Sequence, residues 1–146
     1  MKKLPRAIFI GALVLASSGA FASRTEPLKP AIENILITTT SGKSLSKEQV
    51  KQSIILAATA AKWTATTSAD GQIVATLNVR GKHTLIVEIP YSTQHYTVRY
   101  KDSENLNHGM EELEQNNYRP VEVIHPNANK WMAQLKDAIR AEFARQ

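Results

Sequence analysis

Cysteine is absent from all 146 residues. The chain therefore offers no disulfide, no thiolate nucleophile and no cysteine metal ligand. It also lacks the cysteine that carries the lipid of a bacterial lipoprotein. Glycine is scarce, six residues in all, with Gly11 and Gly19 near the start. No glycine-rich loop is present to cradle a phosphate, and no G-x-S-x-G turn to expose a serine nucleophile. Long apolar runs are missing too. The run from Ala7 to Ala16 falls short of the roughly 20 residues that cross a membrane. Nor is one sign of charge in large excess. The formal net charge is +5, and Lys2, Lys3 and Arg6 supply three of those positives. The small remainder argues against a nucleic-acid partner.

Those three basic residues belong to a recognisable layout. The apolar run follows them, and small residues then end in Ala20-Phe21-Ala22. This is the three-part pattern of a secretory signal, cleaved before Ser23. Residues 1–22 are expected to be removed, leaving a periplasmic or secreted protein without a transmembrane segment. Residues 23–33, with Pro27 and Pro30 and alternating charge, read as a flexible lead-in. Residues 34–146 are enough for one domain with its own core.

The β-branched run from Asn34 predicts a first strand. Ser46 and Gln49 stand at capping-box spacing. Val50, Ile54, Ala57, Ala58 and Ala61 follow at helical spacing, predicting a helix over about 47–62. Trp63 is expected to cover its end, and the TSADG sequence is expected to turn. Three alternating runs follow: Ile73 to Val79, His83 to Ile89, and His95 to Lys101. Period two over three neighbouring runs predicts an antiparallel meander with one buried face.

Parity sets the expected ladder, because a one-residue slip turns every side chain over. Leu77 should face Leu85 across an Arg80-Gly81-Lys82 turn. Ile89 should face Tyr96 and Val87 should face Val98, with Tyr91 to Gln94 as the loop. Extended further, this ladder sets His83 opposite Asp102 on the core side and sends Ser103 the other way. The opposite face should be polar, mildly basic and open to water, carrying Thr76, Asn78, Arg80, Thr84, Ile86, Glu88, Thr97, Arg99 and Lys101.

From Asp102 to Glu122 six residues are acidic and only Arg119 is basic. This stretch reads as a long irregular, solvated loop. Trp131, Leu135, Ile139 and Phe143 then recur in steps of four, predicting a last helix opened by Pro126 or Asn127. The fold class is α+β. It is a two-layer domain in β-α-β-β-β-α order, with two helices on one face of an antiparallel sheet.

Certain stretches carry a likeness beyond their periodicity. They are Trp63 closing the first helix, the tight-turned meander, the YSTQHYTVRYKDSENL strand (Tyr91 to Leu106) and the IHPNANKW opening of the last helix (Ile124 to Trp131). On these, the chain resembles a family of small uncharacterised exported proteins of proteobacteria, many of them predicted lipoproteins. The likeness spans most of the chain after the leader. It implies an envelope location and carries no mechanism. The chain departs from the family by lacking the lipidation cysteine and by its acidic stretch at Glu111 to Gln115.

The candidate chemistry is modest. His83 and Asp102 could form a histidine–carboxylate pair, which orients an imidazole in enzymes but more commonly satisfies a partly buried histidine. Ser103 is excluded as a nucleophile by its expected direction. His83, His95, His108 and His125 lack recognised metal-ligand spacing, so neither a metal nor a cofactor is expected. Tyr96 and Tyr100 should pack against the core, leaving Tyr91 available. Arg80, Arg99 and Lys101 form the expected basic edge, with Glu88 near Arg99 as its partner. The leading expectation is a non-enzymatic module binding an envelope protein through the open sheet face and the acidic loop. The alternative is a small ligand, anionic lipid or glycan bound at Arg80, Tyr91, Arg99 and Lys101. The third is a hydrolase-like enzyme resting on His83 and Asp102.

Overall fold

The computed structural model describes residues 24–146; the expected leader lies outside them. The described chain is an α+β domain with two helices and two antiparallel sheets. In order, its elements are β1 (Glu26–Pro27), β2 (Ile32–Leu36), α1 (Lys47–Ala60), β3 (Thr64–Thr67), β4 (Ile73–Val79), β5 (His83–Ile89), β6 (His95–Glu104), β7 (Gly109–Glu112), β8 (Pro120–Ile124) and α2 (Pro126–Ala144). The larger sheet runs β2-β6-β5-β4-β3 and the smaller one β1-β8-β7. Among the described residues no helix is long and apolar enough to cross a membrane.

The first helix starts where its caps require. The Ser46 side chain accepts from the Gln49 amide while the Gln49 side chain accepts from the Ser46 amide. Two otherwise unpaired donors are thereby satisfied. Trp63 is buried behind the last turn, and its amide donates to the Ala58 carbonyl. The second helix opens with Pro126 in its first turn and the His125 side chain accepting from the Asn127 amide.

Both helices and the inner sheet face share one core. Val50, Ile54 and Ala58 of α1 and Leu135, Ile139 and Phe143 of α2 meet Ile73, Ala75, Leu85, Val87, Ile89, Tyr96 and Val98. The Tyr96 ring tilts against Phe143 with centroids 5.8 Å apart, and its hydroxyl donates to the Lys136 carbonyl at 3.1 Å. Burial pushes the Tyr96 phenol up to about 12.

Four strands were not legible as such: β1, β3, β7 and β8. The lead-in is anchored rather than free-running. Glu26 and Pro27 pair with Ile124 and Val123, and the Leu28 amide donates to the Glu122 carbonyl. The stretch expected as an irregular acidic loop is mostly a hairpin. Met110 faces Glu122 and Glu112 faces Pro120, with a short 3-10 turn at Glu114–Asn116 between the strands.

The meander follows the expected register on one side only. Leu77 faces Leu85 and Val79 faces His83, around a turn where Gly81 takes the left-handed φ of 65° that suits it. On the other side the loop is tighter than expected. The Ser92 amide donates to the His95 carbonyl, and the Ser92 hydroxyl accepts from the Gln94 and His95 amides. Tyr91 consequently bridges to Tyr96, and Val87 faces Tyr100 instead of Val98. This two-residue shift keeps parity, so Tyr96 and Val98 remain in the core. A second change does not keep parity. Between the Val87–Tyr100 and Ile86–Asp102 pairs, Lys101 is an extra residue. Such a bulge turns the strand over beyond it.

Candidate functional site

The register shift and the bulge together rearrange the residues that the sequence set together. Asp102 lies opposite Ile86 and Ser103 opposite Leu85. Asp102 is therefore on the outer face, and Ser103 on the core side. The expected His83–Asp102 pair does not form. His83 Nδ1 lies 2.8 Å from the Asn105 carbonyl oxygen, and Asn105 Nδ2 donates to the Lys82 carbonyl at 2.6 Å. Asn105, not Asp102, pins this end of the sheet. The Asp102 carboxylate accepts only from the amide of Ser103 among the described residues. Ser103 does share a face with His83, contrary to expectation, but its hydroxyl bonds the Tyr100 hydroxyl at 3.0 Å.

Replacing Asp102 with asparagine should therefore change stability by no more than about 0.5 kcal/mol. His83→Ala should cost about 1 kcal/mol, the usual worth of one such hydrogen bond. Urea unfolding of both variants checks this. Equal losses would mean that the pair exists after all.

The expected basic edge also divides. Arg80 sits exposed in the β4–β5 turn with a left-handed φ of 57°. Arg99 lies opposite Glu88, near the other end of β5, roughly 20 Å along the strand. Glu88 pairs with Lys101 at 3.0 Å, not with Arg99. Arg99 has no ion pair among the described residues. Tyr91 is committed as well. Its ring lies under the Lys47 ammonium at 5.6 Å, and its hydroxyl reaches the Gly71 carbonyl at 3.4 Å. The outer sheet face is open for the most part, although Thr97 is buried and its hydroxyl accepts from the Asn34 amide.

Arg99 and Lys101 instead meet the acidic hairpin. An open cleft of about 480 Å³ is lined by Leu28 to Ala31, by Arg99 to Asp102, and by His108 and Glu122. Its origin is topological. The pairing of β2 with β6 ends at Ile32 and Val98, and β6 continues to Glu104. Beyond Val98 the backbone edge of β6 on that side has no strand beside it among the described residues, only the link from β1 to β2. Asn129 fixes that link. Its Oδ1 accepts from the Lys29 amide, and its Nδ2 donates to Glu26 Oε1 and to the Pro27 carbonyl.

The far wall is aromatic and acidic. The His108 ring lies on the Tyr100 ring with centroids 4.8 Å apart, and His108 Nε2 is 2.6 Å from Glu122 Oε1. Burial raises the Tyr100 phenol above its ordinary value. The His108–Glu122 pair is not legible in the sequence, because the acidic stretch has no alternation that marks it as a hairpin. Once β7 and β8 pair, these residues fall at the base of one hairpin. Among the described residues, no three histidine or carboxylate side chains gather as a metal-holding group.

This cleft presents a free guanidinium, an unpaired strand edge, a stacked aromatic pair and carboxylates at its rim. Such a mixture suits an extended polar segment bearing an acidic group. Comparison with known proteins matches no family model, and it finds no significant similarity to a curated protein or a solved structure.

Proposed function

We propose that this chain is a non-catalytic binding module of the bacterial envelope that holds an extended segment of a macromolecular partner in the cleft beside β6. The observation that carries the reading is the length of β6, which outruns β2 from Arg99 to Glu104. A strand edge next to a free cation can recognise backbone and an acidic side chain together. The β7–β8 hairpin supplies a second contact. Met110 and Tyr118 are 64% and 63% exposed beside Glu111, Glu112 and Glu114, a combination of apolar anchors and carboxylates suited to a basic surface.

Support for the small-anion and lipid alternative is weaker, since Arg80 stands apart and Lys101 already has Glu88. The enzyme reading loses the His83–Asp102 pair on which it rested.

The test is mild cross-linking of cells expressing the tagged chain, with recovery of what is attached. Arg99→Glu should lower partner recovery at least tenfold while the purified variant unfolds at the same urea concentration. Equal recovery by the wild type and Arg99→Glu would overturn the reading. So would recovery of anionic lipid in place of protein.

A further inference from the structure

A strand at the margin of a sheet exposes a row of unpaired amides and carbonyls, and proteins usually defend it with charge, proline, a bulge or brevity. Among the described residues, three of the four sheet margins carry charge, proline or a bulge. At one margin β1 is only two residues long and ends in Pro27. At another, β7 carries Glu111 and Glu112. The third, β2, is bulged between Ile32 and Ile35, with Asn34 in the left-handed region at φ 51°, and it carries Glu33. The fourth, β3, is short at four residues but carries no charge, proline or bulge.

The β3 sequence is Thr64-Ala65-Thr66-Thr67. It pairs with β4 in unbroken register from Thr64–Thr76 to Thr67–Ile73. Among the described residues it has no neighbour on its other side, and three of its four side chains are exposed. It carries no charge, no proline and no irregularity, and β-branched threonine favours further pairing.

We infer that β3 is a self-association edge, where a second copy of this chain adds its own β3 antiparallel across a two-fold axis. Several observations select a second copy over a foreign strand. The whole sheet is antiparallel, and two-fold symmetry makes any edge antiparallel to itself. An uncharged Thr/Ala edge has no like-charge penalty against its own copy. It also lacks the pockets or charges that would choose a different strand.

Sedimentation equilibrium of the exported, purified chain tests this across the micromolar range. The wild type should show a concentration-dependent monomer–dimer equilibrium. Thr66→Lys sets like charges across the joint and should weaken dimerisation at least about tenfold, with no change in thermal midpoint extrapolated to low concentration. Thr66→Val should preserve it. Leu36→Lys on the bulged β2 edge should leave it unchanged. A wild type that stays monomeric throughout would overturn the inference. A dimer that Leu36→Lys dissociates and Thr66→Lys does not would also overturn it. Neither result bears on the cleft, which Arg99→Glu probes separately.

Discussion

Replacing Asn129 with alanine should destabilise the protein by about 2–4 kcal/mol, given a net worth near 1 kcal/mol per hydrogen bond and more for a stranded buried group. Asn129 is buried within the first turns of α2 and makes three hydrogen bonds to a segment about a hundred residues earlier. One of its partners is the Glu26 carboxylate, and charge-assisted bonds are the stronger kind. Without the amide, the Lys29 N–H and the Pro27 carbonyl lose their partners at a part-buried joint. The segment should therefore release in part, leaving β1 held to β8 mainly by its short ladder and by the Leu28 amide. Urea unfolding measures the loss of stability. Amide hydrogen exchange should show faster exchange at Leu28 and Lys29 than in β4 or β5. Partner recovery should also fall, since Leu28 to Ala31 form one wall of the cleft. Unchanged stability and exchange would mean that the lead-in is held by other contacts.

The second large effect is alkaline. The unfolded Tyr96 phenol loses its proton near 10.0, whereas the folded one keeps it to about 12. Below pH 10 both states are protonated, and the contribution to stability is complete. As pH rises from 10 to 12 the unfolded state ionises first, so stability falls through that window. Two pH units at about 1.4 kcal/mol each give a loss of roughly 2–3 kcal/mol. Tyr96→Phe should cost about 1 kcal/mol at neutral pH, for the hydroxyl bond to Lys136. Its stability should then fall correspondingly less between pH 10 and 12. Urea midpoints of both proteins at pH 8 and pH 11.5 give the comparison. Parallel losses would show that Tyr96 is accessible to water in the folded protein.

The elements with strong periodicity were legible in the sequence. The α1 capping box, the α2 stripe and the Leu77–Leu85 register each follow from residues close together in the chain, and each is present. The second hairpin was legible in its faces but not in its pairing. Apolar alternation fixes parity, and a two-residue shift preserves parity, so the pattern cannot choose between the two ladders. The choice came from the Ser92 hydroxyl, which tightened the turn. The bulge at Lys101 left no mark in the pattern, because Lys101 and Asp102 are both polar and both suit the outer face. The two-residue shift alone moves Asp102 away from its place opposite His83, and the extra residue then turns Asp102 to the outer face and brings Asn105 to His83.

The strands β1 and β8 were obscured by Pro27 and Pro120, which lower the strand signal of such short runs. Their pairing depends on Asn129 and on contacts distant in sequence. The second asparagine of IHPNANKW was the available clue, since a polar residue at a buried helix position needs partners. The candidate site itself was half legible. Arg99 and Lys101 were singled out, but the wall facing them, His108 and Glu122, required the hairpin.

A photo-activated cross-linking residue at position 102, on the cleft rim, tests the central claim most directly. The same probe at Asn78, exposed on β4 away from the cleft, serves as the reference. In living cells the position-102 probe should give a discrete adduct with another protein, abolished by Arg99→Glu and absent from the position-78 probe. Adducts equally abundant at both positions, or none at position 102, would contradict a recognition cleft beside β6.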